Sequence, residues 1–109
     1  MGFNESGTPK ESLTHLAQLS DETVYRDHVL RRLNTPIQAI TQGIGTMLRA
    51  KNILFIDFSP EYIPYMREAL YGEIGTQNPS SFLRTVGDKV EVIMPKEVAV
   101  AVLSSLTLQ

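Results

Sequence analysis

Two glycine-containing stretches hold the residues whose types and spacing best suit a chemical role. The first, Gly43-Ile44-Gly45-Thr46, lies between a predicted strand and a predicted helix, where backbone amides can bind a phosphate. Leu48 stands where a dinucleotide fingerprint has its third glycine, and no Walker lysine follows. Gly43, Gly45 and Thr46 are therefore candidate phosphate contacts, and a tight turn that allows close helix–strand packing is the favoured alternative.

The second stretch, residues 2–7, reads Gly-Phe-Asn-Glu-Ser-Gly. An acid beside asparagine and glycines is typical of a site loop, although an exposed glutamate is also common. A further acid, Asp57, is embedded near the end of the apolar run 53–58. At that position a carboxylate either serves a ligand at the end of a strand or caps the next helix at Ser59.

The remaining charged and polar candidates have weaker signals. The two histidines, His15 and His28, have no acid at a metal-ligand spacing, so we expect solvated side chains and no metal site. Arg26, Arg31 and Arg32 form a basic cluster that either binds an anion or complements the dipole of a helix.

The elements that position these residues follow from hydrophobic periodicity and from capping signals. We predict loop over 1–18 and helix over 20–33, then a short strand from Ile37 into the glycine turn. Further helices are predicted over 46–51, from Pro60 to Leu70 or Tyr71, over 79–83 and over 98–106, with strands over 53–58 and 90–94.

This alternation predicts an α/β fold: a partial, Rossmann-like parallel sheet with helices on its faces. We expect a single partial domain, in which residues 1–36 form a lid-like covering segment and residues 37–109 form the strand–helix core. The apolar run 53–58 is typical of a strand covered on both faces. Without such a cover, the run would expose an edge and an apolar face and favour association.

Composition excludes several classes of protein. The 109 residues include no cysteine and carry a net charge of −2, which excludes disulfide frameworks and thiol nucleophiles and argues against nucleic-acid binding. No apolar run approaches the ~18 residues of a membrane span, and Met1, Gly2 and Asn4 do not begin a signal peptide. We therefore expect a cytoplasmic protein without membrane contact, and no motif indicates a cofactor.

Beyond these patterns, the sequence resembles the glucosamine-6-phosphate deaminase/isomerase family. The resemblance rests on the 2–7 loop, on AITQGIGTMLRAKNIL at 39–54, on PSSFL at 79–83 and on residues 90–103. It implies the C-terminal portion of an isomerase/transferase-type α/β sandwich. It also implies conversion of glucosamine 6-phosphate to fructose 6-phosphate and ammonia, by enzymes that usually form oligomers.

Carried over residue by residue, the resemblance makes Glu5 the catalytic residue, acting in sugar-ring opening. The family's partner histidine, its aspartate base and its Ser-Gly phosphate loop have no counterpart in the match, so it is degenerate as well as partial. Tyr62 and Val29 stand where the family has its phosphate-binding lysine and arginine.

Two hypotheses follow about function. In the first, the chain is a truncated deaminase, inactive alone, that needs an N-terminal half. In the second, it is a non-catalytic remnant that binds a sugar phosphate or regulates a complete subunit. Its expected partners are a sugar phosphate and either further copies of itself or the missing half.

Overall fold

The computed structural model describes residues 1–30 and 37–107. Within these ranges the chain forms two separate two-stranded sheets, and helices of α, π and 3-10 type surround them. In chain order the elements are β1 (His15–Gln18), α1 (Asp21–Tyr25), a π-helical turn (Arg26–Leu30), β2 (Gln38–Thr41), α2 (Ile44–Leu48), β3 (Ile53–Ile56), a 3-10 turn (Pro60–Tyr62), α3 (Ile63–Tyr71), a 3-10 segment (Pro79–Lys89), β4 (Val90–Ile93) and α4 (Lys96–Thr107).

The second half of the chain contains the parallel sheet that the sequence predicts. Strands β3 and β4 run parallel, with Ile53 opposite Val90 and Ile56 opposite Ile93. Since parallel neighbours need a long crossover, α3 and the 3-10 segment connect the two strands. The predicted α/β fold with a partial parallel sheet is therefore confirmed.

The core consists of two clusters of buried side chains that meet at one aromatic ring. Phe55 of β3 packs against both clusters from the inner side of the sheet. The first cluster lies beneath α2 and the 3-10 segment and contains Ile44, Leu48, Phe82 and Leu83. The second joins α3 to α4 and contains Met66, Val98 and Val102.

The first half of the chain contains a strand where the sequence predicts only loop. That prediction is wrong over β1, which pairs antiparallel with β2 and sets Leu16 opposite Ile40. The sequence of β1 is weakly patterned, so a partner strand distant along the chain determines its conformation. Strand β2 is correspondingly absent from the parallel sheet, against the prediction that the strands of residues 37–109 form one parallel sheet.

Several predicted boundaries differ from the structure. Helix α2 begins at Ile44 rather than Thr46, and the helix predicted from Pro79 continues as 3-10 structure to Lys89. The helix predicted over 20–33 is present up to residue 30, with the Ser20 hydroxyl accepting from the Thr23 amide as an N-cap. Its remaining part, with Arg31 and Arg32, lies outside the described residues, as does the predicted boundary at residue 36.

The parallel sheet is covered on one face within the described residues. Leu54 and Ile56 point away from the core and are exposed, whereas Ile53 and Phe55 point into it. The prediction of a strand covered on both faces is therefore wrong for this part of the chain. Among the described helices, none is long and apolar enough to cross a membrane.

Truncation of a buried isoleucine in the first cluster should destabilise the whole chain. Ile44 is 0% exposed, and replacing such a side chain by alanine leaves a cavity that lowers the free energy of unfolding by ~2–5 kcal/mol. The matched control is Ile40→Ala, because Ile40 is 77% exposed and such surface changes stay within about 0.5 kcal/mol. Urea denaturation followed by circular dichroism measures both, and equal effects would contradict the assigned core.

Candidate functional site

The carboxylate of Glu5 lies at the first turn of α1 and is held there by several donors. Its Oε2 accepts from the backbone amide of Ser20 at 2.7 Å. Its Oε1 lies 3.1 Å from the Ser20 hydroxyl and also accepts from the Thr23 hydroxyl. Amide and hydroxyl donors at a helix N-terminus favour a carboxylate, so the position of Glu5 is fixed rather than free.

The loop that carries Glu5 is anchored to the glycine turn. The buried side-chain amide of Asn4 donates to the carbonyls of Met1 and Gln42, each at 2.8 Å. The Thr41 hydroxyl accepts from the Phe3 amide at 3.2 Å. Gly2 has a φ of +57°, and a Cβ there would lie 2.7 Å from the Thr41 hydroxyl oxygen, so both conformation and space require glycine.

A third segment, residues 75–78, completes the support of this loop. The Gly7 amide donates to the Thr76 carbonyl at 2.7 Å, and the Ser6 hydroxyl donates to the Gln77 side chain at 3.0 Å. The Glu5 loop therefore contacts α1, the glycine turn and the 75–78 segment. A site that includes Glu5 draws on residues distant from one another along the chain.

The amides of the glycine turn are bonded to Ser12. The Ser12 hydroxyl accepts from the Ile44 amide at 2.9 Å, and the Ser12 carbonyl accepts from Gly45 at 2.9 Å and from Thr46 at 3.4 Å. A Cβ on Gly43 would collide with the backbone of Ser12 and Leu13. This geometry favours the tight-turn interpretation; phosphate contact by Gly43, Gly45 and Thr46 stays a prediction.

The resemblance expects a lysine at Tyr62 and an arginine at Val29, and neither residue is charged. A different cation, Arg26, lies beside Tyr62. The guanidinium carbon of Arg26 lies 5.8 Å from the centroid of the Tyr62 ring, within cation–π distance. Arg26 precedes Val29 by three positions in the π-helical turn, and Val29 itself is exposed. The Arg26 Nε is buried without a hydrogen-bond partner among the described residues.

The remaining candidates from the sequence are Asp57 and the two histidines. The Oδ1 of Asp57 accepts from the Ser59 amide at 2.9 Å, which is the capping alternative; its Oδ2 is buried without a partner in the described part of the chain. The His15 Nδ1 lies 2.7 Å from the Leu13 carbonyl oxygen, and His28 is exposed. No cluster of three or more metal-ligating side chains occurs within residues 1–30 and 37–107.

Comparison with curated proteins relates this geometry to a family. Over 86 residues, 77% of the chain, it is 36% identical to the glucosamine-6-phosphate deaminase of Bacillus cytotoxicus, and the match covers 33% of that protein. It is 34% identical over 101 residues to that of Exiguobacterium sibiricum, covering 91% of the chain and 40% of the relative. The chain is a homologue of the glucosamine-6-phosphate deaminases.

A solved structure extends this homology to the fold. A monomeric glucosamine-6-phosphate deaminase, described as a missing link of the NagB superfamily, superposes with a TM-score of 0.78 at 32% identity. The superposition covers 91% of this deaminase homologue and 42% of the solved chain. The homologue thus spans less than half the length of the relatives it matches, and no protein-family model matches it.

Most of the residues that support Glu5 in this deaminase homologue could not be identified from the sequence. The pattern predicts a helix from residue 20 but not that Ser20 donates to Glu5, and it indicates no role for Ser12, Thr23 or Thr41. The Ser20–Thr23 spacing, typical of a capped first turn, was the available signal. Contacts between residues far apart along the chain leave no local pattern.

Adding a side chain at Gly43 should force the glycine turn and the backbone of Ser12 apart and so destabilise the fold. Gly43→Ala places a methyl group against the Ser12 backbone, and such overpacking destabilises by ~1–3 kcal/mol. Gly87→Ala is the matched control, because a Cβ there meets nothing within 4 Å and should be neutral or stabilising by up to about 1 kcal/mol. Urea unfolding curves compare the two, and an unaffected Gly43→Ala would refute the close approach.

Proposed function

We propose that this chain forms the Glu5-bearing part of an amino-sugar-phosphate site and takes part in converting glucosamine 6-phosphate to fructose 6-phosphate and ammonia. The observation that carries the proposal is the carboxylate of Glu5, fixed by Ser20 and Thr23. The homology to glucosamine-6-phosphate deaminases supplies the substrate class.

The bonding of Glu5 suits a group that handles protons during ring opening. Oε2 accepts from one donor, the Ser20 amide, among the described residues, and a carboxylate oxygen has two lone pairs. It therefore retains capacity for a hydroxyl of the sugar or for an imidazole from another segment. Holding such an acceptor in one geometry is the condition for efficient general acid–base catalysis.

On its own the chain is proposed to leave the reaction incomplete. Isomerisation moves a proton from C2 to C1, and the resemblance assigns no base for that step to this chain. A positioned base contributes typically ~10²–10⁴ in rate, and Glu5 serves a different atom of the sugar. The base and the partner histidine then come from a complementary segment.

The ammonia assay tests this division of labour. Incubated with glucosamine 6-phosphate, the 109-residue chain should release ammonia at the uncatalysed rate, and Glu5→Gln should change nothing. Glutamine retains the shape and one carbonyl acceptor, so the variant should remain folded with a loss of about 1 kcal/mol. Release that Glu5→Gln abolishes would show that the chain is a complete enzyme.

Arg26 favours binding of a sugar phosphate even without catalysis. A phosphate monoester carries about −1.5 to −2 charge near pH 7, and Tyr62 and Val29 supply no cation at the positions where the family has them. Arg26 brings a guanidinium to the ring of Tyr62, which stands at one of these two positions. We infer that Arg26 is the cation for the phosphate group, which also fits a binding module.

Calorimetry with glucosamine 6-phosphate tests this role of Arg26. Arg26→Met keeps the apolar stem against Tyr62 but removes the charge-assisted bond, worth ~1.5–3 kcal/mol, so affinity should fall roughly 10- to 100-fold. Arg49→Met, at an exposed arginine, should leave affinity unchanged. Glucosamine without phosphate should be insensitive to Arg26→Met; equal losses for both ligands would contradict a phosphate contact.

A further inference from the structure

A cavity of about 140 Å³, here called the sheet cavity, lies between the parallel sheet, α3 and the 3-10 segment. Its walls are mainly apolar: Phe55 and Val92 line it from the sheet, and Leu70 and Leu83 line it from the other two elements. Val92 is 37% exposed and marks the side on which the cavity opens to solvent. None of the residues that hold Glu5 belongs to the lining, so the sheet cavity is separate from the Glu5 site.

The size of the sheet cavity suits one six-membered ring. A single water molecule needs only ~10–15 Å³ of such space, whereas an apolar cavity of about 150 Å³ in another protein binds benzene. The sheet cavity is close to the second case in both volume and lining. Apolar walls offer few hydrogen bonds to water, so a ring that displaces water from them is favoured.

Arg84 is a charged residue of the lining, and its guanidinium is already bonded to the chain. Its Nη1 donates to the Leu70 carbonyl at 3.0 Å, and its Nη2 donates to the Gly72 carbonyl. These carbonyls lie at the C-terminal end of α3, where the helix dipole places partial negative charge. The charge of Arg84 is therefore balanced within the fold, which favours a neutral ligand over an anion.

We propose that the sheet cavity binds a small neutral aromatic molecule with one hydroxyl group, of the size of phenol. Phe55 offers an aromatic surface, and aromatic pairs gain energy beyond that of the area they bury. The apolar stem and planar head of Arg84 suit the face of a ring. Ser80 adds to the lining a hydroxyl that both donates and accepts, which matches the hydroxyl of the ligand.

A ligand in the sheet cavity contacts the side chain that both core clusters share as a neighbour. Phe55 packs on the cluster beneath α2 and on the α3–α4 cluster. Because a molecule that binds only the folded chain stabilises it, phenol should raise the unfolding temperature. This effect involves neither Glu5 nor Arg26, so the proposal does not rest on the proposed function.

Titration with phenol, followed by nuclear magnetic resonance, tests the proposal. We expect saturable binding, with nuclear Overhauser effects between the ring protons of phenol and the side chains of Phe55 and Leu83. Val92→Phe should fill the mouth of the cavity and weaken binding by about tenfold or more. Val100→Phe is the matched control, because it adds the same ring at a position that is 53% exposed and outside the lining; it should bind phenol like the unchanged chain. Ala69→Leu, which fills the cavity from α3, provides a second variant if Val92→Phe fails to fold.

Two further compounds test the class of ligand. Cyclohexanol keeps the hydroxyl and lacks the aromatic ring, so it should bind roughly 2- to 10-fold more weakly than phenol. Benzoate keeps the ring but carries a negative charge, and it should also bind more weakly. The proposal is wrong if phenol binding does not saturate, if the filling variants weaken it no more than Val100→Phe does, or if cyclohexanol binds as tightly. Benzoate that binds more tightly than phenol would overturn it as well, and would assign Arg84 to an anion.

Discussion

The approach of Ser12 to the first turn of α2 is the contact on which the arrangement of the first half depends. Three successive amides of α2 bond to this one residue, through its hydroxyl and its carbonyl oxygen. Buried amides at a helix start require partners, because an unsatisfied donor costs ~1–3 kcal/mol. The absence of a side chain at Gly43 allows the two backbones to approach this closely. The glycine turn is thus a junction between chain segments.

That junction explains how the Glu5 loop acquires a defined position without regular secondary structure. Asn4 and Thr41 bind the loop to the glycine turn, and Ser20 with Thr23 holds the carboxylate. The hydrogen-bonding groups of the loop bind neighbours from three parts of the chain. A mobile carboxylate would have to be ordered on binding a ligand, whereas this one is already in place.

The predictability of the fold differs between its two halves for a physical reason. In the second half, apolar runs and proline and glycine signals determine β3, α3, β4 and α4 locally, so their order could be predicted. In the first half, β1 exists because β2 pairs with it, and no local pattern indicated the pairing. The site follows the same division: Glu5 was found from its loop and from the resemblance, whereas the roles of Ser12 and Thr23 arise from tertiary contacts. Arg26 reaches Tyr62 from a π-helical turn, a geometry that helical periodicity does not predict.

Phe55 connects the two core clusters, which have no buried residue in common. Its ring packs on the α3–α4 cluster and on the cluster beneath α2 at once. Separation of α3 and α4 from the sheet would expose the Phe55 ring to water, and the same ring packs against the cluster that contains Ile44. Because one side chain contacts both clusters, we expect loosening of the C-terminal helix to weaken the packing beneath the glycine turn as well.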